Sequence, residues 1–180
     1  MKKALLCLLL CLALTLCACG KTEITPVTEP AASDEPAAAA LTFETTDLAG
    51  NPVKSEELFA AHRLTMVNVW TTWCGYCVAE MPELQKLSET LAERDVAIVG
   101  LLYDGTTEDA LAQGGDILES AGVTYLNLLP WEGVDAQLGI QAFPTTFFVD
   151  SEGNLVGEPI LGARLDAYEA QIEALLADMN

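Results

Sequence analysis

Positive charge is what this 180-residue chain has least of: 8 Lys and Arg stand against 27 Asp and Glu, a formal net charge of −19. A field of that sign repels phosphate backbones, which excludes nucleic acid as a partner. The acid reads as a solvated surface, with attraction of basic partners as the alternative. Histidine is almost missing, His62 being the single one. Without a second Cys-x-x-Cys, the sequence offers no ligand set for a metal. No apolar run reaches the ~20 residues that a membrane-spanning helix requires. Core material is abundant, since 51% of residues are hydrophobic, and this excludes disorder for most of the chain. One domain of about 140 residues is expected after a non-globular start, large enough to bury a core without staples.

The start carries its own signal. Lys2 and Lys3 precede the small and apolar residues Ala4 to Ala18, the layout of a secretory signal peptide. The run ends Leu16-Cys17-Ala18-Cys19-Gly20, which resembles the bacterial lipoprotein box, where a small residue precedes a cysteine that is diacylated before cleavage. The resemblance implies a signal peptide over 1–18 and lipidation at Cys19. Cys17 fits worse, because bulky Leu16 would precede the cut. An uncleaved signal anchor is the alternative. Two acyl chains suffice for stable anchoring. Residues 19–40 hold Pro26, Pro30, Pro36 and the run Ala37 to Ala40, and read as a flexible linker. The folded domain is then 41–180, held at the extracytoplasmic face of a bacterial cell membrane by its lipid.

Cysteine use narrows the chemistry. Cys7, Cys11 and Cys17 fall in the signal segment and Cys19 at the acylation site, so Cys74 and Cys77 alone remain as thiols. They sit in Trp73-Cys74-Gly75-Tyr76-Cys77. A disulfide closing so short a loop stabilises little, so its use is chemical, as a bond that opens and closes.

The pattern around this pair predicts its placement. Leu64 to Trp70 is a β-branched apolar run with the look of a buried strand, and Cys77 to Ala92 carries Met81, Leu84, Leu87 and Leu91 at helical spacing. Further strands are expected at Val96 to Tyr103, Phe147 to Val149 and Leu155 to Gly157. Helices are expected at Glu108 to Ala121 and Leu165 to Met179. Asp150 to Asn154 reads as a hairpin turn, and Leu41 to Val53 as an N-terminal hairpin turning at Asp47 to Pro52.

The order strand, WCxxC helix, strand, helix, strand, strand, helix resembles the thioredoxin-like fold, a three-layer α/β/α arrangement. The stretch Asn68 to Pro82 and the stretch Phe143-Pro144-Thr145-Thr146-Phe147-Phe148-Val149-Asp150 are similar to the TlpA/ResA-like branch of membrane-tethered thioredoxins. Asp104 to Gly139 resembles the strand and helix that this branch inserts before its cis-proline. The resemblance implies that Pro144 follows a cis peptide facing the Cys-x-x-Cys. It also implies that the residue before it pairs with a bound extended peptide. Phe143, Trp73 and Tyr76 then form an apolar substrate rim.

Cys74 is expected at the first turn of its helix, where unpaired N–H groups and the helix dipole favour a thiolate. Cys77, one turn deeper on the same face, is placed to resolve a mixed disulfide formed at Cys74. Tyr76 occupies a slot where thioredoxins usually carry proline. It restores an N–H, and so favours the reduced form and a more oxidising couple. Glu80 matches an acidic residue of the branch, and two readings stay open: a solvated helix carboxylate, or a buried base taking the Cys77 proton. The strand position that carries a titrating Asp in cytoplasmic thioredoxins is Asn68 here. Glu83 is expected on the wet face, and Pro82 is expected to shape the helix. His62, Trp70 and Trp131 carry no catalytic expectation, although Trp131 either packs down or lines a groove.

These readings make the chain an exported thiol-disulfide oxidoreductase that uses no bound cofactor. It is expected to reduce disulfide-containing proteins with electrons from a membrane thiol carrier of CcdA/DsbD type. A disulfide-forming oxidase is the alternative of the same chemistry. A thiol peroxidase of peroxiredoxin type lacks its Pro-x-x-x-Thr pattern in Val69 to Trp73. A copper-delivery protein lacks its CxxxC.

Overall fold

The computed structural model describes residues 40–179. The signal segment, Cys19 and all but the last residue of the linker lie outside the described residues. The order is β1 (Glu44–Thr46), β2 (Pro52–Lys54), α1 (Ser55–Ala60), β3 (Leu64–Trp70), α2 (Gly75–Ala92), β4 (Val96–Leu102), α3 (Glu108–Ala121), β5 (Asn127–Leu128), α4 (Val134–Leu138), β6 (Thr145–Asp150), β7 (Ile160–Leu161) and α5 (Leu165–Asp178). β1 and β2 form an antiparallel pair, and the main sheet runs β5-β4-β3-β6-β7. β3 pairs parallel with β4 and antiparallel with β6, which makes it the central strand.

Every residue of β3 is buried, and its alternating side chains build two cores. Leu64 and Met66 meet Leu84 and Leu87 of α2 and Tyr168 and Ile172 of α5. Val67 and Val69 face the other way, toward Phe59 of α1 and Val134 and Leu138 of α4. The result is the expected three layers. A third cluster closes the top of β3, where Trp70 and Leu102 pack around Cys74, Cys77 and Met81, with Ile117 and Leu118 of α3 alongside.

Two turns share one construction. In Asp47-Leu48-Ala49-Gly50-Asn51 and Asp150-Ser151-Glu152-Gly153-Asn154 the Asp carboxylate accepts from backbone N–H groups two and four residues on, and from the Asn side chain. The glycines take φ of 84° and 85°, open to residues without a Cβ. The first joins β1 to β2. The second follows β6.

Several boundaries differ from the sequence reading. The strand expected at Leu155 to Gly157 is a single bridge from Leu155 to Val149. Gly157 then turns the chain and Pro159 lacks an N–H, so pairing with β6 resumes only at β7. β6 extends beyond Phe147 to Val149 in both directions, and α2 begins at Gly75 rather than Cys77. α1 went unread, being too short to show an apolar period. The segment 104–139 holds α3, β5 and α4, one helix more than expected.

Gly100 of β4 is bare for a reason. A Cβ there would lie 1.9 Å from Asn127 Oδ1 and 2.6 Å from its Cγ, and that same Oδ1 accepts from Trp70 Nε1 at 2.9 Å. Gly100→Ala therefore displaces Asn127 from the indole beneath the active site. The expected cost is about 1–3 kcal/mol, read as a lower urea midpoint; an unchanged midpoint contradicts the packing.

Candidate active site

The loop from β3 to α2 is pinned before the cysteines arrive. Asp104, just past β4, accepts from Thr72 N–H on both carboxylate oxygens (3.1 Å each) and from Thr72 Oγ1 at 2.6 Å. Cys74 is the N-cap of α2, in extended conformation, and its Sγ accepts from the Cys77 N–H at 3.2 Å. No acidic residue occupies the first turn, so the helix end keeps its partial positive charge at the sulfur. The two cysteines are joined as a disulfide with Cα atoms 5.3 Å apart. Cys74 is 7% exposed and Cys77 wholly buried. Cys74 is thus the cysteine nearer to solvent. The donor found at Cys74 Sγ is the Cys77 N–H, and the extra donor that Tyr76 offers makes no hydrogen bond to that sulfur among the described residues.

An exposed aromatic rim surrounds this opening. Trp73 and Tyr76 are 70% and 79% exposed, unusual for such large rings. Trp73 meets Phe143 edge-on at 5.5 Å, and the Phe143-Pro144 peptide is cis. Trp73, Phe143 and Pro144 are therefore brought together across the sheet end. Tyr76 stands on the first turn of α2 and makes no ring contact among the described residues.

Behind the disulfide lies a buried polar group of four. Glu80, one turn past Cys77, is 8% exposed. Asn68 Nδ2 donates to Glu80 Oε1 (3.0 Å) and to Thr146 Oγ1 (3.1 Å), which occupies both of its N–H groups. The Tyr168 hydroxyl lies 3.1 Å from Glu80 Oε2 and 2.9 Å from the Gly162 carbonyl. A carbonyl only accepts. The single hydroxyl proton serves either acceptor, so Tyr168 donates to Glu80 Oε2 or to the Gly162 carbonyl. Burial raises the Glu80 pKa, against the hydrogen bonds from Asn68 and Tyr168 that lower it. Burial is also the main reason that Tyr168 is pushed up to about 12, so it stays a neutral donor.

A family model described as Redoxin matches residues 30–173, most of the chain. The chain belongs to the redoxin family. The redoxin is 36% identical over 112 residues to the thiol:disulfide interchange protein DsbE of Haemophilus influenzae, covering 60% of this chain and 56% of that protein. It is 28% identical over 135 residues to the thiol-disulfide oxidoreductase ResA of Bacillus anthracis, covering 74% and 72%. The thioredoxin-like protein YneN of Bacillus subtilis matches at 28% over 100 residues, covering 56% and 58%. The redoxin thus spans little more than half the length of DsbE and YneN. A crystal structure of a thioredoxin-family thiol:disulfide interchange protein from Chlorobium tepidum superposes with a TM-score of 0.63 at 24% identity, covering 75% of this chain and 93% of that one. That likeness bears out the thioredoxin-like fold, and these relatives bear out the TlpA/ResA-like resemblance.

Of the two readings of Glu80, the solvated one does not survive, because the side chain is buried among Asn68, Thr146 and Tyr168. Glu83 is the wet neighbour, paired with Lys86 at 2.7 Å. Trp70 is core, His62 meets Asp95 at the surface, and Pro82 lies inside α2. Tyr168 and Asp104 were missed from sequence. The Tyr168 position gave only an apolar place in the last helix, and nothing local marks Asp104 as the anchor of Thr72.

The raised Glu80 pKa has a definite consequence for the redoxin's stability. The folded form binds the extra proton between the ordinary value near 4.5 and the raised one, so stability falls as pH rises through that window. Glu80→Gln keeps an acceptor for Asn68 and a donor for Tyr168 but cannot ionise. Relative to wild type, the variant is expected to gain stability from pH 4 to pH 8 in denaturant titrations. A difference that does not change with pH contradicts a raised pKa.

Proposed function

We propose that this redoxin is an exported thiol-disulfide oxidoreductase, lipid-anchored at Cys19, that reduces disulfides in extracytoplasmic proteins. One observation carries the reading: a Cys74–Cys77 disulfide at a helix N-terminus, with Cys74 keeping a small exposure and Cys77 wholly buried. The names of the DsbE and ResA relatives describe the same chemistry.

In the reduced protein, the Cys74 thiolate attacks a substrate disulfide and expels one substrate thiolate, giving a mixed disulfide. The helix start and the Cys77 N–H favour that thiolate. Cys77, being buried, must lose its proton within the protein. Glu80 sits on its face of α2, three residues on, and its environment tolerates both the proton and, through Asn68, the charge. The Cys77 thiolate then attacks Cys74 Sγ, releasing the second substrate thiolate and closing the disulfide seen here. Trp73, Tyr76 and Phe143 supply the apolar rim for the incoming segment, with the cis-Pro144 loop as its backbone edge. A membrane thiol carrier of CcdA/DsbD type restores the dithiol, and this electron supply sets the direction as reduction. The domain 41–180 works on a tether, residues 19–40, behind a signal segment 1–18 that is removed. Favouring the thiolate also makes the couple more oxidising, which is the observation behind the oxidase alternative.

The test is insulin reduction with dithiothreitol by the full chain. Cys74→Ser is expected to abolish it with the fold intact, since a hydroxyl forms no mixed disulfide. Cys77→Ser is expected to accumulate partners bound through Cys74. Activity persisting in Cys74→Ser overturns the mechanism.

A further inference from the structure

A cleft of about 500 Å³ opens beside the active-site rim. Trp73, Tyr103, Trp131, Asp104 and Asp135 line it. Phe143 links it to the cis-proline loop, its ring lying 5.5 Å from Trp73 and 5.1 Å from Tyr103. The cleft thus shares Trp73, which directly precedes Cys74, with the rim beside the disulfide. Trp131 is held in place by stacking on Phe43 at 3.9 Å, so that wall is rigid.

The chemistry of the lining is one-sided. Asp104 is fixed by Thr72 and Asp135 accepts from the Tyr103 hydroxyl, so both carboxylates are held in position. Among the described residues no Lys or Arg lines the cleft or pairs with either of them. Thr71 also lines it. The Thr71 hydroxyl and the Trp131 indole N–H, on side chains more than nine-tenths buried, have no hydrogen-bond partner among the described residues. An indole N–H only donates, so the partner it lacks is an acceptor.

We propose that this cleft is a specificity subsite for a lysine or arginine side chain of the protein substrate, next to the disulfide under attack. Aromatic faces take the aliphatic stem and attract the charge, and the two carboxylates receive the head group. A bare metal ion would use neither ring. The chain's net charge of −19 adds long-range attraction for a basic partner. The proposal rests on the exchange reading above, because Trp73 directly precedes Cys74.

The experiment measures second-order rate constants of the reduced full chain with disulfide peptides differing in one residue beside the cysteine. Arginine is compared with its neutral isostere citrulline and with glutamate. Wild type is expected to favour the arginine peptide over the citrulline peptide by about tenfold at low salt. Asp135→Asn should lose most of that preference, and Asp135→Lys should turn it toward the glutamate peptide. Glu93→Gln, which removes one charge at the far end of α2, should keep it. Equal rates for arginine and citrulline, or a preference untouched in both Asp135 variants, overturn the subsite and leave the exchange reading standing. A preference lost equally in Glu93→Gln belongs to net charge and overturns it too. No exchange with any peptide overturns the exchange reading, and the subsite with it.

Discussion

The inner cysteine has no contact with water. Cys77 is enclosed by Trp70, Met81 and Leu102 where α2 rests on the end of β3, and the other features of the site follow from that enclosure. A thiol that cannot reach solvent cannot hand its proton to it, so a protein group must stand nearby. The same burial raises the pKa of the group that stands there, because a carboxylate in apolar surroundings resists ionisation. Glu80, buried and three residues on along α2, is the group proposed for that role. Its acidity is a compromise, with burial pulling one way and two hydrogen-bond contacts the other.

That compromise is assembled from four elements. Asn68 comes from β3, Thr146 from β6, Tyr168 from α5 and Glu80 from α2. In the central strand pair Asn68 and Thr146 are direct register partners, so the sheet itself sets their spacing. The substitution of Asn for a titrating Asp at position 68 looks, in sequence, like the loss of a base. In the structure Asn68 is a donor committed to Glu80 and Thr146. The α2 cap favours charge on Cys74, and the polar group holds the acid proposed to take the proton of Cys77.

Much of this was legible because it is local. The Cys-x-x-Cys at a strand-to-helix junction, the buried run of β3 and the amphipathic α2 all announce themselves within a few residues. What stayed hidden is what depends on distant partners. Glu80 read equally well as solvated or buried because its burial is decided by Tyr168, 88 residues away. Trp131 had two readings, and both are realised, since it stacks on Phe43 and lines the cleft. The apolar residues Leu155 and Val156 suggested a strand, and only the turn at Gly157 and Pro159 shows why pairing with β6 is limited to one bridge at Leu155 and resumes at Ile160.

The central claim is that Glu80 accepts the proton of Cys77. Stopped-flow measurement of the two half-steps, attack by Cys74 and resolution by Cys77, in wild type and Glu80→Gln across pH tests it most directly. The account predicts that resolution slows by about a hundredfold near neutrality, the low end for a lost general base, while attack changes little. The defect should shrink as pH approaches the free-thiol value of roughly 8.5, where hydroxide does the work unaided. Equal slowing of both steps, or a defect in resolution that does not change with pH, would contradict it.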